Sequence, residues 1–190
     1  FGSEVGDEVV WAENTGGAWV STVIGTPDRP SWVEARDLDQ DGDLDLVVAS
    51  ANEDEVATFE NDAGTFTEEV QLTIDGAWGA TPADLDGDGD LDLATVAGFA
   101  NTAGWLRNDA IHSTSRDFTK TAIGFGSNNA RHATVADLDG DGDLDILGAD
   151  DDSLDWSENT AGDASAWTRT SIDTSAGFWC TDAADLNGDG

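Results

Sequence analysis

Residues 84–92 read Asp84-Leu85-Asp86-Gly87-Asp88-Gly89-Asp90-Leu91-Asp92, alternating carboxylates with a glycine at the sixth place. The pattern occurs again as Asp37, Asp39, Asp41, Gly42, Asp43 and Asp45, and as Asp137, Asp139, Asp141, Gly142, Asp143 and Asp145. A fourth copy, Asp185, Asn187, Asp189 and Gly190, stops with the sequence. Such loops suit a hard divalent cation: Ca2+ takes about six to eight oxygens at roughly 2.3–2.6 Å, and alternating Asp side chains can turn inward around one point. Glycine at the sixth place accepts backbone geometry that a side chain hinders. Carboxylates packed this closely repel one another, and a bound cation removes that penalty. Mg2+ fits less well, because it demands octahedral geometry and keeps its waters. Positions 1, 3, 5 and 9 are the expected side-chain ligands. Position 7, held by Asp43, Asp90 and Asp143, would contribute its backbone carbonyl, leaving its side chain a spectator.

The loops are not EF-hands. An EF-hand needs a bidentate Glu at position 12, where this chain has Val48, Thr95 and Gly148. Their flanks read as strands instead: Leu44, Leu46 and Val48 fall on one side, Val47 and Ala49 on the other. Spacings of 47, 53 and 48 residues between loop starts define a unit of propeller-blade size. Other landmarks keep the same phase. Trp11-Ala-Glu-Asn14, Thr58-Phe-Glu-Asn61, Trp105-Leu-Arg-Asn108 and Trp156-Ser-Glu-Asn159 align, each followed by a Gly-containing turn and a second aromatic, namely Trp19, Phe66, Phe118 and Trp167. One unit is therefore strand, acidic loop, strand, variable loop, strand ending in Asn, Gly turn, strand. The fold class is all-β, a β-propeller of four-stranded antiparallel blades.

These residues resemble the FG-GAP/VCBS repeats that form the blades of integrin-alpha-type β-propellers, and the resemblance covers nearly the whole chain. It implies that calcium sits in the loop between the first and second strands of each blade, on one face of the disc. Carried over, the side-chain ligands are Asp37, Asp39, Asp41 and Asp45; Asp84, Asp86, Asp88 and Asp92; and Asp137, Asp139, Asp141 and Asp145. Asp185, Asn187 and Asp189 match a fourth, partial site that lacks the position-9 carboxylate.

The units are expected at 1–26 (end of a second strand to a fourth), 27–74, 75–125, 126–174 and 175–190 (the start of a next blade). Both ends fall inside a blade, so the sequence reads as a piece of a longer protein. The end pieces could combine into one slightly incomplete fourth blade, or the chain could be an arc of a six- to eight-bladed disc. An arc leaves inter-blade faces exposed, at a cost for stacked repeats. The resemblance favours the larger ring.

Net charge is −34, from 41 acids and seven basic residues, Lys120 being the single lysine. The loops hold 17 of those aspartates, so −17 would remain without them. That surplus coats the general surface; its self-repulsion is screened at molar salt, which suggests a halophilic organism or its virus. Nucleic acid is excluded as a simple electrostatic partner, as are anionic membranes. No segment reads as a transmembrane span or a signal peptide. Eight phased tryptophans argue for packed blades rather than disorder. Cys180 is alone, cannot form an internal disulfide, and reads as a small buried residue. Extracellular calcium would take the stabilising role that disulfides often fill.

A catalytic site finds no support. The paired carboxylates are committed to the ion, and neither His112 nor His132 has a matched nucleophile. The expectation is a non-enzyme. Binding is the better reading, because residues five and six before each loop do not repeat: Ser31-Trp32, Trp78-Gly79, Arg131-His132 and Trp179-Cys180. In an antiparallel blade these positions approach the disc face opposite the calcium loops. Trp32, Trp78, Arg131, His132 and Trp179 are therefore the candidate ligand face, against the plainer reading that the tryptophans wedge between blades. Trp11, Trp105 and Trp156, which recur in phase, are expected in the core. Three functions remain open: an extracellular adhesion propeller binding a protein on a cell or virion surface, a glycan-binding lectin, or a structural module of a larger secreted enzyme or surface assembly.

Overall fold

A computed structural model describes residues 2–3, 6–108, 118–123, 129–175 and 177–186. The described residues form strands only, and none of them builds a helix long and apolar enough to cross a membrane. A first sheet holds β1 (Gly2–Ser3), β2 (Glu8–Asn14) and β3 (Trp19–Gly25). The second blade is β4 (Pro30–Arg36), β5 (Asp45–Ser50), β6 (Glu55–Asp62) and β7 (Thr65–Thr73). The third is β8 (Ala77–Ala83), β9 (Asp92–Ala97), β10 (Thr102–Asn108) and β11 (Phe118–Ala122). The fourth is β12 (His132–Ala136), β13 (Asp145–Ala149), β14 (Leu154–Asn159) and β15 (Trp167–Asp173). Every sheet runs in chain order with antiparallel neighbours, as hairpin connections require.

Each acidic loop joins the first strand of its blade to the second. The first strands β4, β8 and β12 pack side by side, so the blades stack face to face around them. Three apolar clusters fill the three seams. Val9 meets Val48 and Phe59 in the first; Leu38, Val47 and Val56 meet Leu93 and Leu106 in the second; Trp105 and Val96 meet Ile146 and Ala133 in the third. Second strands are covered on both faces, which is why β9 is buried from Asp92 to Ala97. Fourth strands such as β7 lie at the rim and are mostly exposed.

Three expectations need correction. Residues 178–186 do not form a strand, because among the described residues no second strand of their own blade lies beside them. The segment still sits in phase: Thr134 donates its hydroxyl to the Thr181 carbonyl at 2.8 Å, as Thr81 does to the Ala133 carbonyl at 3.2 Å one blade earlier. The in-phase tryptophans are not equivalent. Trp105 is 4% exposed between two four-stranded blades, whereas Trp11 is 46% exposed and Trp156 half-buried. Trp11 looks across a wide groove at Phe66, Leu44 and Leu46, while the longer turn of the fourth blade inserts Ala164 and Trp167 beside Trp105. Finally, Cys180 is exposed rather than buried.

Candidate functional site: acidic loops and an aromatic cavity at opposite ends of the inner strands

The loops fold on their own backbone. Position 1 accepts the position-6 N–H: Gly42 donates to Asp37 Oδ2 at 3.1 Å, Gly89 to Asp84 Oδ2 at 3.1 Å and Gly142 to Asp137 Oδ2 at 3.0 Å. That geometry needs a left-handed residue at position 6, and Gly42, Gly89 and Gly142 have φ of 99°, 98° and 100°. Positions 3 and 5 each lend one oxygen to the N–H two residues on, as Asp41 N–H to Asp39 Oδ1 at 3.2 Å and Asp43 N–H to Asp41 Oδ1 at 2.8 Å. The same bonds recur from Asp88 and Asp90 in the second loop and from Asp141 and Asp143 in the third.

With those oxygens committed, the carboxylates converge. One oxygen each from Asp37, Asp39 and Asp41, from Asp84, Asp86 and Asp92, and from Asp137, Asp139 and Asp141 falls within 4.8 Å of its two companions. Asp37 Oδ1 and Asp84 Oδ1 are buried and have no hydrogen-bond partner among the described residues. A buried carboxylate oxygen without a donor is costly, and a cation in the loop would satisfy it. The residues present therefore fit calcium.

Position 9 does more than the sequence suggests. Asp45, Asp92 and Asp145 are buried, and each bridges its loop to the third strand. Leu38, Leu85 and Leu138 donate their N–H to Oδ2 at 2.9, 3.1 and 3.2 Å, while Asn61, Asn108 and Asn159 donate to Oδ1 at 2.9, 2.8 and 2.9 Å. Only Asp92 also joins an oxygen trio. Position 7 points elsewhere: Asp43 Oδ2 accepts the Ala63 N–H at 3.0 Å, and the Asp143 carboxylate lies against Gly162, both in turns before a fourth strand. The second loop is the most enclosed, gripped by Gln40, which donates to the Gly89 carbonyl at 2.8 Å, and by Asn159, which donates to the Leu85 carbonyl at 3.1 Å. Burial, reinforced by the Asp88 carboxylate, pushes Asp90 up to about 7, and burial pushes Asp92 up to about 7. Asp185 is exposed; Asn187, Asp189 and His112 lie outside the described residues.

At the other end of the inner strands the unrepeated residues meet. A cavity of ≈ 400 Å³ is lined by Ser31 and Trp32 from the second blade, Trp78 from the third, Arg131 and His132 from the fourth, and Trp179, Cys180 and Thr181 from the following segment. The six steps from Ser31 to Asp37 span roughly 20 Å at about 3.4 Å per residue, so cavity and loops occupy opposite faces. Register shifts place Ser31 and Trp78 as the extra residues of matching bulges, which re-aims both side chains. Trp78 lies so close to Gly98 that a Cβ there would stand 2.6 Å from its indole nitrogen.

The lining holds itself in place through rings and charges. Trp32 and His132 meet edge to face, centroids 4.9 Å apart, across the intervening blade. Arg29 lies 5.1 Å from the Trp78 centroid and Arg131 3.8 Å from that of Trp179. Arg131 Nε and Nη2 reach Asp151 Oδ1 at 2.7 and 2.6 Å, and hydrogen bonds from Asn129 and Arg131 hold Asp151 below the usual carboxylate range. Burial lowers the His132 pKa, opposed by Asp182. Trp32 Nε1 and Trp78 Nε1 are buried N–H donors without a partner among the described residues, and no carboxylate is among the lining residues.

Four antiparallel sheets in phase, three of them stacked about their first strands, define a blade-based β-propeller fold. The FG-GAP-like repeat pattern matches residues 37–95 and 137–190, and the chain belongs to that family. No curated protein matches the sequence. Among solved structures it is similar to a lectin from Agrocybe aegerita, described for its specific recognition of non-reducing terminal N-acetylglucosamine. The likeness has a TM-score of 0.57 at 18% identity and covers 89% of this chain but 47% of that one, so this chain spans about half the lectin's length.

Proposed function

We propose that this chain is a calcium-stabilised, non-catalytic interaction module that works outside the cell, on a cell or virion surface, and takes a protein ligand at the aromatic cavity. One observation carries the reading: residues that break the repeat, from three blades and the following segment, line a single cavity. Variation laid on a fixed scaffold is where specificity resides. The three loops on the opposite face would hold calcium and lock the first strand to the second in each blade. The acidity beyond the loops fits folding in concentrated salt.

A second reading, a lectin, is favoured by the lining itself. Indole faces stack on sugar rings, and Trp32, Trp78 and Trp179 all line the cavity. The likeness to a lectin agrees with it. Parallel screens against a glycan array and an array of surface-protein ectodomains separate the two. Loss of the selected ligand in a folded Trp32→Ala/Trp78→Ala/Trp179→Ala variant is expected. Binding that survives those changes but disappears in folded Asp141→Ala would move the site to the loop face.

A further inference from the structure

The second acidic loop differs from the other two by a cation that the chain itself supplies. Arg107 Nε lies 2.9 Å from Asp86 Oδ2, and Arg107 Nη2 lies 3.6 Å from Asp88 Oδ2. Asp86 and Asp88 stand at positions 3 and 5. Their Oδ1 atoms already accept the N–H groups of Asp88 and Asp90, each at 3.2 Å. The guanidinium therefore engages the very oxygens that loop folding leaves for a metal. In the second and fourth blades the corresponding residues are Glu60 and Glu158, whose charge has the opposite sign. The oxygen trio of the second loop is also distinct: it draws on positions 1, 3 and 9, not 1, 3 and 5, leaving Asp88 outside.

We propose that Arg107 is a built-in counter-cation of the second loop, which consequently binds calcium more weakly than the first and third loops and holds its shape better when empty. The inference rests on the calcium reading above. An incoming ion must displace the guanidinium from Asp86 and Asp88 or share them with it, and either option costs affinity. Displacement is open to Arg107, whose side chain is 45% exposed at the blade edge. The first and third loops carry no such internal competitor at this position and depend on the ion alone. Calcium would then fill the chain in two stages, with the second loop last.

The test is calcium titration of the metal-stripped chain by calorimetry, with stoichiometry read by native mass spectrometry. The wild type should show two tight sites and one at least tenfold weaker. Arg107→Gln should bring the weak site to within about threefold of the others and lower the melting temperature in calcium-free buffer. Arg107→Lys, which keeps the charge, should retain the weak site and guards against a folding artefact in the glutamine variant. Asp86→Asn should abolish the weak class, and Asp139→Asn one tight site. Three indistinguishable wild-type sites, or a weak site unmoved in folded Arg107→Gln, would overturn the proposal while leaving the calcium reading intact. No calcium binding at all would overturn both.

Discussion

The tryptophans at one place in the repeat offer a direct measure of what stacking contributes. Trp105 and Trp11 occupy equivalent positions, yet the first is 4% exposed and the second 46%. A tryptophan brings about 150–250 Å² of surface, so at roughly 25 cal/mol/Å² near-complete burial is worth about 4–6 kcal/mol and half burial about 2–3. Truncation to alanine keeps the Cβ contribution but leaves a void, which places Trp105→Ala at about 4 kcal/mol and Trp11→Ala at about 2. The indole N–H of Trp105 has no partner among the described residues, so no lost hydrogen bond complicates the difference. At roughly 2–4 °C per kcal/mol for a chain of this size, the two melting temperatures should differ by about 4–8 °C. Because stacked repeats couple mainly to their neighbours, Trp105→Ala should lower the main transition, whereas Trp11→Ala should mostly loosen the first sheet. Differential scanning calorimetry of both variants at saturating calcium measures this, with urea rather than a salt denaturant as the cross-check. Equal losses would refute the argument, since they would mean that the groove beside Trp11 is as closed as the seam around Trp105.

Other outcomes follow from the loops, the cavity and the charge. Asp145→Asn replaces an acceptor of two backbone N–H groups with an amide that accepts at one oxygen only; it should cost about 1–3 kcal/mol in thermal melts even with calcium present, more than Asp143→Asn. Stripping calcium should lower the melting temperature by many degrees, and an unchanged midpoint would remove the metal from the folded state. Burial lowers the folded-state pKa of His132 from 6.5, so its contribution is complete above that value and is lost as pH falls through the folded pKa. The wild type should accordingly lose more stability than His132→Gln between pH 7 and pH 5, a difference that urea titrations at the two pH values resolve. At fixed saturating calcium, circular dichroism across a salt titration should show native signal growing with ionic strength, because −17 of the charge lies outside the loops.

The sequence by itself determined whatever is local to one unit. Alternating aspartates with a sixth-place glycine encode a loop whose bonds run between residues two to seven apart, and the left-handed Gly42, Gly89 and Gly142 sit where that pattern puts them. Strand order within each sheet was legible for the same reason, since periodicity records contacts within a repeat. What tertiary structure alone decided depends on residues farther apart, from 14 positions between Asp145 and Asn159 to a hundred between Trp32 and His132. Asp45, Asp92 and Asp145 read as simple ligands, yet their buried oxygens brace the third strand, a role signalled only by the in-phase Asn61, Asn108 and Asn159. Arg107 stands out as the single basic residue in a series of glutamates, but its reach to Asp86 depends on how β10 lies against the loop after β8. Trp11, Trp105 and Trp156 look alike in the repeat and differ in burial because burial belongs to the neighbouring blade, not to the residue. The cavity joins Trp32 to His132, a hundred residues on, through the stacking of three first strands, and no pattern within one unit encodes that meeting.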